Sequence, residues 1–274
     1  MDMTLLGILL ASLAAAVLAL IMVYLLVLIR PTRKTGQSDA LKCDYAHRGL
    51  HGNGVPENSL AAFEAACEAG YGIELDVQLS RDGVVMVFHD YTLKRMTGVE
   101  KRLSELDAEA LGALSLDETG ETIPTLASVL SLVDGRVPLL IELKGEDVST
   151  ALCERLEAQL RGYKGVFCME SFNPLLIGNM KTRFPDVFCG LLYTNVCRDK
   201  KKRSALNILL TAMALNVVAK PDFIAYNQED RKSLPVRIAT GLYRTPRFVW
   251  TVKTQAQLDT AHANGEFPIF ESIS

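Results

Sequence analysis

The chain has 274 residues, a formal net charge of −3 and 22 % charged residues. That length fits one large domain or two small ones. The weak charge and the absence of a long basic stripe exclude a nucleic-acid binder, and no low-complexity tract marks the chain as disordered.

The mean hydropathy is +0.17, high for a soluble enzyme. The excess sits in residues 3–29, which carry no charge. A helix rising ~1.5 Å per residue needs roughly 20 apolar residues to cross a ~30 Å hydrocarbon core, so this run is long enough. A cleaved signal peptide has a shorter apolar region of ~7–15 residues, opened by positive charge and closed by a small-residue cleavage site. Here only Asp2 precedes the run, and Ile29, Arg30 and Pro31 follow it. The expectation is an uncleaved anchor. Arg30, Arg33 and Lys34 after the helix predict a single-pass protein whose globular part lies in the cytoplasm. Residues 1–35 are expected to be anchor and linker, and residues 36–274 one globular domain. Cys43, Cys67, Cys153, Cys168, Cys189 and Cys197 form no close pair. They read as buried reduced thiols, because a core of this size needs no disulfides.

Short apolar runs then alternate with helical patterns. The runs are 43–47, 72–78, 138–143, 166–170, 187–192, 223–226, 248–252 and 268–271. They show little polar alternation, as expected for strands buried on both faces of a parallel sheet. Asn58 is placed to cap a helix over 59–69 that ends at Gly70. Thr125 is placed to cap a second, and Thr254 with Gln257 has capping-box spacing for a third that ends at Gly265. Eight strands with intervening helices predict an α/β fold, a (β/α)₈ TIM-type barrel behind one transmembrane helix. A doubly wound open sheet has the same strand count. Between the second run and residues 84–88 lies only Leu79-Ser80-Arg81-Asp82-Gly83, too short for a parallel crossover. The Asp-Gly turn predicts an antiparallel hairpin that returns His89 to the level of Glu74 and Asp76.

Active sites of such barrels lie at the carboxyl ends of the strands. Those ends read His47-Arg48-Gly49, Glu74-Leu75-Asp76, His89-Asp90 and Glu142-Leu143-Lys144. Residues i and i+2 of a strand share a face, so Glu74, Asp76, Glu142 and Lys144 point into one mouth. Three converging carboxylates repel unless a cation lies among them, and a hard divalent ion, Mg²⁺ or Ca²⁺, suits oxygen ligands. Plain salt bridges with Arg48 or Lys144 are the other reading of these acids. His47 and His89 suit acid and base roles because imidazole titrates near neutral pH. Arg48 and Lys144 supply fixed positive charge for an anionic oxygen. Metal, Arg, Lys and two His together describe phosphoryl chemistry. His51 and His262 lack strand-end settings and are expected at the surface.

These segments resemble the glycerophosphodiester phosphodiesterases. The motifs are AHRG (46–49), PENS (56–59) followed by LAAFEAACEAG, IELDVQLSRDG (73–83), VVMVFHDYTLKRMTG (84–98), IPTL (123–126), IELK (141–144), SFNP (171–174) and WTV (250–252), in family order. The resemblance implies a barrel of the phospholipase-C-like phosphodiesterase kind with one divalent cation, making residues 36–274 the catalytic domain. By position it makes His47 and His89 the acid/base pair, and Glu74, Asp76 and Glu142 the metal ligands. Arg48 and Lys144 would bind the phosphate, and Glu57 and Asn58 would shape the rim or stand behind the ligands. Trp250 would form the substrate wall, with core packing as its alternative. The implied reaction splits an sn-glycero-3-phosphodiester into glycerol 3-phosphate and an alcohol. A lysophospholipid acted on by a lysophospholipase D or a cyclising lyase is the alternative within catalysis. A membrane-anchored lipid-binding or sensor protein is the alternative outside it, disfavoured by the intact catalytic set.

Two further expectations concern the surroundings of the site. The family usually ends in a further helix, whereas here the last run is 268–271 and the sequence stops at Ser274. The linker after the anchor is the expected cover for that side. Residues 198–220 join five cations to an apolar run. They read either as an ordinary barrel helix or as a segment resting on the bilayer.

Overall fold

The computed structural model describes residues 3–32, 39–145, 149–271 and 273. Arg33, Lys34 and the rest of the expected linker to Ser38 lie outside the described residues.

The strands are β1 (Tyr45–Ala46), β2 (Gly72–Leu79), β3 (Val85–Val87), β4 (Leu139–Leu143), β5 (Phe167–Ser171), β6 (Cys189–Tyr193), β7 (Phe223–Asn227), β8 (Arg247–Val252) and β9 (Phe267–Phe270). β1 pairs in parallel with both β2 and β9, which closes the sheet and rules out the open alternative. The other parallel pairs run β2–β4–β5–β6–β7–β8–β9. β3 stands outside the ring, antiparallel to β2 with Val77 opposite Val87, as the Asp-Gly turn predicts.

Alternation along the strands sorts the side chains. Ile73, Leu75, Val77, Leu139, Ile141 and Leu143 face the helices and join the large outer core. Tyr45, Leu140, Cys168, Phe223, Phe248 and Ile269 fill the barrel interior. Gly190 is required there, because a Cβ on it would lie 2.0 Å from the Phe223 ring. A third cluster forms under the chain between β3 and β4, from Met86, Phe88, Leu93, Met96, Leu103, Leu111, Leu116 and Ile123.

The helix Met3–Val23 continues as a wider turn over Tyr24–Leu28. It is 26 residues long, long and apolar enough to cross a membrane, and none of its most apolar stretch is buried. A core helix would be covered, so that reading fails. From Tyr24 onward the chain lies against the barrel, with Ile29 fully buried in the outer core.

Three local expectations are corrected. Ser59, not Asn58, caps the helix Leu60–Ala69 by accepting from the Ala62 amide. Gln257 bonds the Lys253 amide rather than closing a box on Thr254. Residues 198–220 are not one helix. They belong to three short helices, Val196–Asp199, Ala205–Thr211 and Asn216–Ala219. The linker expected to cover the β9 side lies outside the described residues; up to Thr32 the chain packs before β7, through Ile29 to Asn216 and Thr32 to Pro221. None of the six cysteines is paired; three are buried and three half-buried.

Candidate active site

The carboxyl ends of the strands bring the expected residues together. Parity puts Glu74 and Asp76 of β2 and Glu142 of β4 on the inner face, with Asp76 opposite Glu142 in register. One oxygen from each lies within 4.8 Å of the others, and all three are buried. Of the two places expected for Asn58 it takes the one behind these acids: it is 1 % exposed and donates to Asp76 Oδ2 at 2.9 Å. Its left-handed backbone (φ 53°) turns the side chain inward instead of capping the helix.

Arg48 also adopts a left-handed backbone (φ 57°), which aims its amide at Glu74 Oε2, 2.9 Å away. Such a conformation costs a side-chain-bearing residue ~1–3 kcal/mol and persists only where the surroundings over-determine it. Gly49 follows with φ 82°, and a Cβ there would meet Ala62 at 2.8 Å, which explains the glycine of AHRG. The Arg48 guanidinium donates to Glu57 (2.7 Å) and approaches Asp76 at 3.5 Å. Lys144 Nζ bridges Asp76 (2.9 Å) and Glu142 (2.7 Å). Both cations therefore make the salt bridges foreseen as the simpler reading, and three acids still converge.

Burial dominates the protonation of this cluster. It lifts the Glu74 carboxyl well above the usual range, reinforced by the charges of Asp76, Glu142 and Glu170. Glu142 is pushed up to about 7, again by burial, with Lys144 pulling the other way. Burial works against Asp76 too, but Lys144, His89 and Arg48 outweigh it and keep that carboxyl ionised. The site holds more acid than its two cations can neutralise.

The histidines flank the acids. The β2–β3 hairpin brings the Phe88 amide onto the Asp76 carbonyl at 2.9 Å, so His89 follows at the expected level. Gln78 Nε2 secures that turn by donating to the carbonyls of Phe88, His89 and Asp90. His89 Nδ1 lies 2.6 Å from Asp90, and His47 Nδ1 lies 2.6 Å from Glu271. Each ring has a carboxylate on Nδ1, the arrangement that leaves Nε2 for chemistry. Burial lowers the His89 pKa from its ordinary value. The Glu271 carboxyl is held below its usual range, chiefly by the hydrogen bond from His47 and next by that from Lys253.

Sequence reasoning missed Glu271, Asp90, Glu170 and Phe172. Glu271 ends the last predicted run and shares parity with the inward-facing Ile269, which was sufficient signal. Glu170 ends the fourth run in the same way. It is 1 % exposed, and burial lifts its pKa well above the usual range. Trp250 is half-buried on the wall of the mouth, its indole nitrogen donating to the Ala225 carbonyl and its ring edge-on to Phe172 at 5.7 Å. Glu57 clamps Arg48 and Arg95. His51 is half-buried against expectation, while His262 is exposed and pairs with Asp44. The mouth is a cavity of about 110 Å³ lined by His47, Arg48, Glu74, His89, Glu142 and Lys144, among others.

A family model described as the glycerophosphoryl diester phosphodiesterase family matches residues 47–265, from the first mouth histidine to the end of the last helix. The chain belongs to this family. Among relatives, the glycerophosphodiester phosphodiesterase of Caldanaerobacter subterraneus is 37 % identical over 159 residues, 54 % of this chain. That of Bacillus altitudinis is 44 % identical over 107 residues, 36 % of this chain. The chain thus spans 65 % and 43 % of the lengths of these two proteins. A glycerophosphodiester phosphodiesterase of Bacillus subtilis is 28 % identical over 241 residues, covering 78 % of this chain and 77 % of that protein. A phosphodiesterase of Oleispira antarctica, solved in complex with the product sn-glycerol-3-phosphate, superposes with a TM-score of 0.68 at 22 % identity. The match covers 84 % of this chain and 92 % of that one. The Thermotoga maritima glycerophosphodiester phosphodiesterase gives 0.63 at 24 % identity, over 83 % and 93 %. These likenesses establish the fold as the barrel of the glycerophosphodiester phosphodiesterases.

Proposed function

We propose that this family member hydrolyses glycerophosphodiesters to glycerol 3-phosphate and an alcohol, with residues 36–274 as the catalytic domain and residues 1–35 as a membrane anchor and linker. The observation that carries the reading is the pairing of two carboxylate-held histidines with three buried acids in one mouth. The donor set suits a divalent cation, Mg²⁺ or Ca²⁺. It offers only carboxylate oxygens, and burial holds Glu74 and Glu142 above their usual range until a dication relieves the repulsion. Glu74, Asp76 and Glu142 would hold that ion, and bound there it would neutralise charge building on the phosphoryl oxygens.

The chain's own groups supply the rest. Arg48 and Lys144 bind the phosphate. One of His47 and His89 takes the proton of the neighbouring glycerol hydroxyl as its oxygen bonds to phosphorus. The other protonates the departing alkoxide as its P–O bond breaks. Water then opens the cyclic phosphate, with the histidines in reversed roles. The attack is intramolecular and so gains effective molarity. Glu271 and Asp90 hold the two rings. Trp250 and Phe172 wall the head-group side. The sequence Arg30, Arg33 and Lys34 after the apolar run supports a cytoplasmic domain by the positive-inside rule.

The test is glycerol 3-phosphate release from glycerophosphocholine and glycerophosphoethanolamine by the full chain, with and without chelator. Activity should vanish in chelator and return with Mg²⁺ or Ca²⁺. His47→Ala and His89→Ala should each lower kcat by ~10²–10⁴ with metal still bound. Full activity in chelator, or in either variant, would overturn the assignment. Accumulation of the cyclic phosphate would mark a lyase instead.

A further inference from the structure

Arg95 lies outside the mouth and has no part in the chemistry above, yet every nitrogen of its guanidinium is engaged. Nε donates to Asp90 Oδ2 at 2.6 Å, Nη2 to Glu57 Oε1 at 2.6 Å and Nη1 to Glu57 Oε2 at 3.1 Å. A planar fork across two carboxylates fixes direction as well as distance. The two acids belong to different parts of the molecule. Glu57 stands in the loop between β1 and the helix Leu60–Ala69, and Asp90 follows β3 on the chain of the third apolar cluster.

Each acid also reaches into the mouth. Glu57 Oε1 accepts from Arg48 Nη1 at 2.7 Å, and Asp90 Oδ1 lies 2.6 Å from His89 Nδ1. Arg48, Glu57, Arg95, Asp90 and His89 thus form one unbroken chain of ion pairs, whose two ends line the mouth. The supports of the fork are held independently of it. The Asn58 amide donates to the Arg48 carbonyl at 2.9 Å, which fixes the backbone beside Glu57. Arg95 sits in the short helix Lys94–Thr97, with Leu93 and Met96 on either side buried in the third cluster. Burial works against the charge of both acids, but the hydrogen bond from Arg95 heads the effects that outweigh it, and both carboxyls lie below their usual range. Stability does not account for the arrangement: the Arg95 side chain is 47 % exposed, and ion pairs so open to water add little to a fold.

We propose that Arg95 is a positioning residue of the reaction: through Asp90 it fixes the His89 ring, and through Glu57 it sets the place of that ring relative to the phosphate-binding Arg48. The proposal rests on the phosphodiesterase reading, and no bond is made or broken at Arg95. Without the fork, Asp90 keeps its contact with His89 but turns freely on its own side chain, so the ring loses its fixed place. Glu57 still holds Arg48. The loss therefore falls on kcat and leaves KM nearly unchanged. A misplacement of ~1 Å in a reacting group costs up to about 10²-fold in rate.

The experiment measures kcat and KM for glycerophosphocholine with the full chain in detergent micelles, at saturating Mg²⁺ and well below the melting point. Arg95→Gln should lower kcat roughly 10- to 100-fold with KM little changed. Because Arg95 acts through Asp90, Arg95→Gln/Asp90→Asn should be no slower than Asp90→Asn alone. Lys94→Gln is the control: it lies on the same short helix, is 68 % exposed and pairs only with Glu100, and should turn over like the parent. Parental kcat in Arg95→Gln, with or without a lower Tm, overturns the proposal, as do additive losses in the double variant or an equal loss in Lys94→Gln. A second readout is independent of turnover: two-bond ¹H–¹⁵N NMR spectra of the ¹⁵N-histidine-labelled chain, with His89→Ala assigning the His89 signal. The parent should show one His89 tautomer, protonated at Nδ1, and Arg95→Gln should show a mixture of the two. An identical His89 signal in parent and variant overturns the proposal. If the parent cleaves no diester, the phosphodiesterase reading falls, and the spectra alone decide whether Arg95 holds the ring.

Discussion

Replacing Glu271 by glutamine isolates how His47 is held. The carboxylate lies 2.6 Å from His47 Nδ1 and 2.8 Å from Lys253 Nζ, with its side chain 24 % exposed. A hydrogen bond to a charged group contributes ~1.5–3 kcal/mol. If that contribution is realised in the transition state, its loss costs roughly 10- to 150-fold at ~1.36 kcal/mol per decade. Glu271→Gln keeps the shape, but its amide can present a donor to Nδ1 and so favour the tautomer whose Nε2 already carries hydrogen. We expect kcat for glycerophosphocholine to fall within that range while KM changes little. Initial-rate assays at saturating divalent ion measure it. Because the residue acts through His47, Glu271→Gln/His47→Ala should be no slower than His47→Ala alone. Near-parental turnover in Glu271→Gln, or fully additive losses in the double variant, would refute the positioning role. Lys253→Gln serves as the control: its side chain is 62 % exposed, and such pairs contribute only ~0–1 kcal/mol.

Three further outcomes follow from the same geometry. Glu74→Gln removes one of three mutually repelling acids, so in chelator its Tm should match or exceed that of the parent. Added Mg²⁺ or Ca²⁺ should raise the Tm of the parent alone, by the equivalent of ~2.7 kcal/mol at a hundredfold excess over Kd; a variant stabilised equally would reject the ligand assignment. The folded state holds Glu271 below its usual ~4.3, so its contribution is full above that pH and fades as pH falls below it. The urea midpoint should therefore drop less between about pH 5 and pH 3 in Glu271→Gln than in the parent, and equal drops would contradict this. Ile29 is fully buried against the barrel wall, so Ile29→Ala should cost about 2–5 kcal/mol by urea titration followed through Trp250 fluorescence. An unchanged midpoint would mean that the wall does not depend on the segment after the anchor.

The barrel was legible because its strands are short, doubly buried and correctly spaced, and parity alone placed Glu74, Asp76 and Glu142 on one face. The hairpin was legible because five residues cannot make a parallel crossover. Other features depend on tertiary context. Ser59 and Asn58 both suit a cap, and only the pull of Asp76 on the Asn58 amide decides between them. Residues 198–220 look helical by pattern, but Lys201, Met213 and Lys220 take positive φ angles that end each short helix. Glu271 has no motif to mark it; its one signal is the parity it shares with the inward-facing Ile269 of β9. The cavity beside the mouth had no linear signature, since its walls come from β6 and from the chain after β4, β5 and β6.

The cluster of Met86, Phe88, Leu93, Met96, Leu103, Leu111, Leu116 and Ile123 is a small core of its own, set apart from the two barrel cores. Its chain carries His89 and Asp90 to the mouth, so one half of the proposed acid/base pair is supplied by a subdomain and the other by the barrel. Units of this kind open with their own, smaller free energy. On heating, turnover should fade before the barrel melts, because opening of the subdomain withdraws His89 while the acids stay in place. Substitutions at Leu111 or Ile123 would then tune the temperature range of the enzyme while leaving its melting point nearly fixed, and a lineage could adapt the one without renegotiating the other.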